Sequence, residues 1–173
     1  ELSRLREMAD LIQSCTTLEE AYRIIGNFAQ RLFSASSGAA FMINQSRNLV
    51  EATTVWGNMT AEEQVFQPED CWALRRTKPN LVDTLHSTLK CSHVKGEPPG
   101  GYLCLPLTAQ GETFGTLHLR DAGNKGAQRL SNRSNLIELF AEQVALTLCN
   151  LKLRETLRSQ SIRDPLTGLF NRR

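Results

Sequence analysis

At 173 residues, 40% of them hydrophobic, the chain is long enough to build one domain around its own core. Lys+Arg 20 against Asp+Glu 18 leaves +2, too little surplus for a nucleic-acid footprint, and no run approaches the ~20 apolar residues of a membrane span. Cys15, Cys71, Cys91, Cys104 and Cys149 are odd in number and irregular in spacing, and no secretion signal opens the sequence, so a reduced, cytoplasmic protein is expected rather than a disulfide framework.

Residues 1–15 carry Leu5, Met8, Ile12 and Cys15 at alternating steps of three and four, which predicts an amphipathic or coiled-coil helix. It is short, so a partner is expected to hold it. Thr17 followed by Glu20 reads as a capping box, opening a second helix with a stripe of Ala21, Ile24, Ile25, Phe28, Leu32 and Phe33. The period then becomes extended: residues 38–44 and 49–56, around the polar residues 45–48, predict a hairpin. Residues 57–70 read as loop, and 71–76 as a short helix with acidic residues before it and Arg75 and Arg76 at its end. A short strand is predicted over 81–83, then an irregular stretch over 84–101. Residues 102–107 and 113–119 predict two more strands joined through 109–112, with Pro106 marking an edge or a bulge because it cannot donate to a ladder.

A polar loop over 121–129 leads to a last helix over about 131–159. Its seam runs Ile137, Ala141, Val144, Leu148 and Leu151, then meets Glu155 and Arg158 where apolar residues should recur. A second stripe, Leu146, Cys149, Leu153 and Leu157, takes over on another face, giving two overlapping registers near the exit.

This order predicts an α+β domain, a mainly antiparallel sheet with helices packed on one face. The stretch Gly101-Tyr102-Leu103-Cys104-Leu105-Pro106-Leu107, then Gly111 through Leu119 with its Gly115-Thr116-Leu117, resembles the strand, turn and strand that recur in GAF domains, small sensory modules related to PAS domains. The resemblance spans roughly residues 17–149. The final residues, Asp164, Leu166, Thr167, Leu169, Asn171, Arg172 and Arg173, resemble the opening motif of GGDEF diguanylate cyclases, which make cyclic di-GMP from two GTP molecules. The expected organisation is therefore an N-terminal helix over 1–15, a GAF domain over 16–150, a helical signalling linker over 151–163 and the opening of a GGDEF domain over 164–173.

The GAF resemblance implies a ligand site under the irregular middle, where Cys71, Trp72, Arg75, Arg76, His86, Cys91 and His93 fall. Cys71, Cys91 and His93 are candidate metal ligands, with Cys104 from the nearby strand able to complete a tetrahedral set of soft donors for zinc. Without metal, Cys71 near a helix start would have a lowered pKa and could be redox-reactive. Trp72, Arg75, His93 and Cys104 are candidate contacts for an unidentified small molecule. Bilin-binding GAF domains follow the attachment cysteine directly with histidine, whereas Ser92 separates Cys91 from His93. The cyclic-nucleotide motif is present only as Asn124-Lys125, since no Asp-Glu follows Phe140. A purely structural role for the cysteines, and a reductase of the free-methionine-sulfoxide kind, also stay open. His118 lies between Leu117 and Leu119 on a strand and is expected to face solvent or to be a satisfied polar residue.

The combined resemblances imply a non-catalytic sensory fragment of a diguanylate cyclase, homodimeric through its first and last helices, with GTP and magnesium confined to the absent cyclase domain. The alternatives are a ligand-free dimerisation module and a zinc- or redox-binding GAF domain.

Overall fold

The computed structural model of the chain describes residues 1–44, 46–60, 63–83, 89–96, 98 and 100–162. His86 and the GGDEF-like motif lie outside the described residues. Element order is α1 (Leu2–Gln13), α2 (Leu18–Leu32), β1 (Ser37–Asn44), β2 (Leu49–Trp56), β3 (Val65–Phe66), α3 (Trp72–Arg76), β4 (Asn80–Val82), β5 (Tyr102–Ala109), β6 (Glu112–Arg120), α4 (Gly126–Asn132) and α5 (Ser134–Ile162). The strands form one six-stranded antiparallel sheet in the order β3-β2-β1-β6-β5-β4.

Helices α1, α2, α4 and α5 bury their apolar stripes on one face, against Leu103, Leu105, Leu107, Leu117 and Leu119. The short α3 and residues 89–96 cover the other face, around Phe41, Val50, Phe66, Val82 and Tyr102. The α1 seam of Leu5, Met8 and Ile12 is buried as its spacing predicts. Its partners are α2 and α5 of the same chain, so that seam is already occupied.

Thr17 caps α2, its hydroxyl accepting from the Glu20 N–H at 3.3 Å. The reciprocal half of the predicted box is displaced by one residue: the Glu20 carboxylate accepts from the backbone N–H of Thr16 at 2.9 Å. Replacing Thr17 by Ala should cost about 1 kcal/mol in urea unfolding; an unchanged midpoint would show that Glu20 alone secures this end.

Several boundaries differ from the sequence reading. Two residues of the predicted 57–70 loop pair with β2 as β3, too short a strand to leave a periodic signal. The strand expected over 81–83 starts at Asn80, whose side chain is tied to the Leu89 carbonyl. The polar loop expected over 121–129 becomes helical at Gly126, because Asp121 holds the Arg129 guanidinium and the Gly123 N–H. The predicted single last helix is broken at Arg133 (φ -107, ψ 9). That residue sends its guanidinium to the Leu32 carbonyl and to Glu1, and lies over the Phe33 ring.

The β5–β6 turn places Gln110 (φ 52) and Gly111 (φ 83) in the left-handed region, as a two-residue hairpin of matching twist requires. Gly115, in the strand motif, sits where a Cβ would run into the Phe41 carbonyl of β1. Pro106 lies beyond the last β4 pairing, at Asn80↔Cys104, and next to a register shift between Leu107 and Thr108. Both the edge and the bulge expected there occur.

Candidate functional site

Strand alternation dictates what the second sheet face carries. Leu103, Leu105 and Leu107 of β5, and Leu117 and Leu119 of β6, turn towards the helices, so the intervening Cys104 and His118 turn the other way. Cys104 pairs directly with His118 across the ladder, and the Cys104 Sγ lies 3.3 Å from His118 Nδ1. His118 is 1% exposed. It is a buried, satisfied residue and not a solvent-facing one, because both faces of this sheet are covered.

The covering segment delivers three more ligand-type side chains. Cys71 occupies the N-cap position of α3, behind a one-turn 3-10 helix over Pro68–Asp70. Cys91 and His93 sit two apart on the stretch between β4 and β5, clamped to the start of α3 by Ser92. The Ser92 N–H donates to the Asp70 carbonyl at 3.0 Å and its hydroxyl to the Asp70 carboxylate at 2.7 Å. The Cys91 N–H donates to the Tyr102 hydroxyl at 2.6 Å. His93 stacks on Phe66, centroids 4.1 Å apart, and presents Nε2 to the Cys104 Sγ at 3.6 Å.

Four ligand atoms, from Cys71, Cys91, His93 and Cys104, thereby lie within 4.8 Å of one another, and all four residues are buried. All five cysteines are free thiols. Two donors point at the Cys91 sulfur: the Trp72 N–H at 3.3 Å and Asn80 Nδ2 at 3.5 Å.

Hydrogen bonds from Cys104 and Cys71 hold the Cys91 thiol well below the ordinary thiol range, against the opposing effect of burial. Burial and its two thiol neighbours push Cys104 well above that range. At Cys71 the hydrogen bond with Cys104 acts downwards, but that with Cys91, together with burial, pushes it up to about 11. The metal-free trio thus concentrates its thiolate character on Cys91, not on Cys71 as the helix-start argument expects. His118 is held down at about 3 by burial and then by His93 and Arg120, and is neutral at physiological pH.

A model of the GAF domain family matches residues 15–148. The chain belongs to the GAF family. Solved structures agree with this at the level of the fold. A methyl-accepting chemotaxis protein fragment is similar at 13% identity with a TM-score of 0.67, covering 86% of this chain and 98% of that one. The free methionine-R-sulfoxide reductase of Neisseria meningitidis, solved with its substrate, is similar at 10% identity and 0.70, covering 87% and 89%. The GAF domain of the potassium sensor histidine kinase KdpD from Escherichia coli is similar at 18% identity and 0.63, covering 91% and 99%. No curated protein matches the sequence.

Within this GAF domain the candidate residues divide. Cys71, Cys91, His93 and Cys104 are brought together. Trp72 is half-buried and contributes its backbone N–H, while its ring lies under the exposed Arg75 guanidinium at 4.1 Å. Arg75 therefore points away from the cluster, as does the exposed Arg76. His118, Asn80 and Tyr102 are the additions that sequence reasoning missed. For His118 the signal was present, since it shares strand parity with Cys104 opposite the leucines of both strands. A separate open cleft of about 520 Å³ is lined by Ser37, Asn58, Thr60, Arg120 and Asp121. Its guanidinium is already taken by Glu63 and the Asn58 carbonyl, so it offers no ready anion site.

Proposed function

We propose that this GAF domain is the sensory unit of a diguanylate cyclase and passes its state to that enzyme through α5. The carrying observation is the Asp164-x-Leu166-Thr167-x-Leu169-x-Asn171-Arg172-Arg173 motif directly following α5. Residues 151–163 then act as the signalling linker and 164–173 as the first residues of the cyclase domain, which supplies the GTP and magnesium sites. The reaction joins two GTP molecules, so two cyclase domains must meet and the protein works as a cytoplasmic homodimer.

The shape of α5 supports this reading. Its buried seam ends at Leu151, and every residue from Lys152 to Arg158 is exposed. Leu139, Leu146 and Leu153 recur every seven residues on the outside, followed by Leu157, all between 40% and 56% exposed. Leu2 of α1 lines a groove together with Leu139. On this reading Leu2 of the first helix and the outer leucines of the last supply the dimer contact, since the inner α1 seam is filled by its own chain. A sealed, wholly apolar second face would favour the ligand-free alternative; the second face instead buries Cys71, Cys91, Cys104, His93 and His118.

The purified parent protein, supplied with GTP and magnesium, is expected to make cyclic di-GMP, and no product would sink the assignment. Replacing both Glu155 and Arg158 by Leu extends one apolar register through the exit and should lock the output in one state. An unaltered signal response in that variant would count against the α5 route.

A further inference from the structure

We propose that Cys71, Cys91, Cys104 and His93 form a closed, four-coordinate site for one zinc ion, which pins the segment between β4 and β5 onto the sheet. With Zn–S of about 2.3 Å and Zn–N of about 2.0–2.1 Å, a tetrahedral shell has ligand-to-ligand edges of about 3.5–3.8 Å. The four ligand atoms already lie within 4.8 Å of one another, with the Cys104 Sγ to His93 Nε2 edge at 3.6 Å. Closing the shell needs movements of only about an ångström at the widest edge.

The donors select the metal. Three sulfurs and one imidazole are a soft to borderline set, suited to zinc and lacking the carboxylates and carbonyls that calcium or magnesium require. Sulfurs this close together also leave no space for an iron–sulfur cube. All four positions are protein ligands and all are buried, so the ion has no open position for substrate and its role is structural.

The surroundings are arranged for a charged metal–thiolate centre. Trp72 N–H and Asn80 Nδ2 face the Cys91 sulfur, and His118 Nδ1 faces the Cys104 sulfur, as outer partners do at such sites. The ligands come from the start of α3, the β4–β5 segment and β5 itself. One ion therefore joins the cover to the sheet beside the buried Asn80 and His118. The site stands whether or not a cyclase follows α5, and its test is independent of cyclic di-GMP synthesis.

The chain, purified under reducing conditions without added chelator, is examined by native mass spectrometry and elemental analysis, then loaded with Co(II) as a spectroscopic probe. One zinc per chain is expected. Cobalt should give the intense visible bands of a tetrahedral ion together with thiolate charge transfer. Cys15 and Cys149 lie outside the cluster, and the double variant C15S/C149S should retain the metal and the cobalt spectrum unchanged. Cys91→Ser should lose the bound equivalent; because that variant could fail to fold, His93→Cys supplies a second arm, retaining the ion while shifting the cobalt bands towards an all-sulfur shell. A folded chain that takes up neither zinc nor cobalt overturns the proposal. So does a reduced preparation whose mass is short of two hydrogens, with a bond between two of the three clustered sulfurs, and so does a His93→Cys cobalt spectrum identical to that of the parent.

Discussion

Replacing Arg120 by Leu is expected to cost about 3–5 kcal/mol, the penalty for stranding a buried charge. Glu63 is 3% exposed and accepts from the two terminal nitrogens of the Arg120 guanidinium, each at 2.9 Å. Thr60 donates its N–H and hydroxyl to the same carboxylate at 3.0 and 2.9 Å, and the Lys95 N–H adds a bond at 3.2 Å. One carboxylate thus ties the β2–β3 loop, the end of β6 and the segment that carries Cys91 and His93. Burial works to raise the Glu63 pKa, but Arg120 and Thr60 outweigh it and hold the group at about 2, against an ordinary 4.5. A depressed folded value stabilises the fold above the unfolded value, and that stabilisation is lost as pH falls from about 4.5 towards 2. Urea titrations of the parent should therefore show stability dropping across that window, and Arg120→Leu should flatten the drop. The double change Glu63→Leu with Arg120→Leu should recover much of the loss, since it leaves no orphan charge. A single variant within 1 kcal/mol of the parent would mean that Thr60 and Lys95 suffice to hold the carboxylate.

Phe140→Ala is expected to cost about 3–5 kcal/mol through lost burial and the cavity left behind. Phe140 is 0% exposed on α5 and meets Phe33 edge-on, centroids 5.3 Å apart and planes at 87°. Phe33 is itself the C-cap residue of α2, so this contact fixes where the second helix ends against the last one. The neighbours Ile137, Val144 and the leucines of β5 belong to a sheet-backed core that relaxes little. Denaturant unfolding at unchanged slope measures the effect, and a loss under about 1 kcal/mol would show that the helices close over the gap.

Helical stripes were the most legible part of this chain, because a 3.6-residue period over more than ten residues is hard to imitate by chance. Leu5-Met8-Ile12 and Ile137-Ala141-Val144-Leu148-Leu151 face the core as their spacing requires. The two hairpins were legible from the change to extended, β-branched runs around polar turns. Two-residue β3 and the early start of α4 were not, since β3 depends on Val50 and Glu51 across the sheet and α4 on side-chain bonds from Asp121 rather than on any apolar period.

At the candidate site, the resemblance to GAF domains pointed to the irregular middle segment, and the residue types there singled out Cys71, Cys91 and His93 and suggested Cys104. What brings Cys104 and His118 face to face is subtler. Counting back from the Gln110-Gly111 turn pairs Ala109 with Glu112, and continuing without interruption would set Cys104 opposite Leu117. The shift between Leu107 and Thr108 moves the register by one and sets Cys104 opposite His118. On the short α3, Cys71 and the backbone of Trp72 turn inwards while the Arg75 guanidinium stays outside the cluster, over the indole.

The sequence by itself therefore determined the α+β class, the helix stripes, the hairpins and the residue types available for chemistry, because these depend on local periodicity and propensity. The tertiary structure decided which of those residues meet, through a one-residue register shift and the Asp70–Ser92 and Glu63–Lys95 clamps, which act between residues far apart in the chain and leave no periodic trace in it.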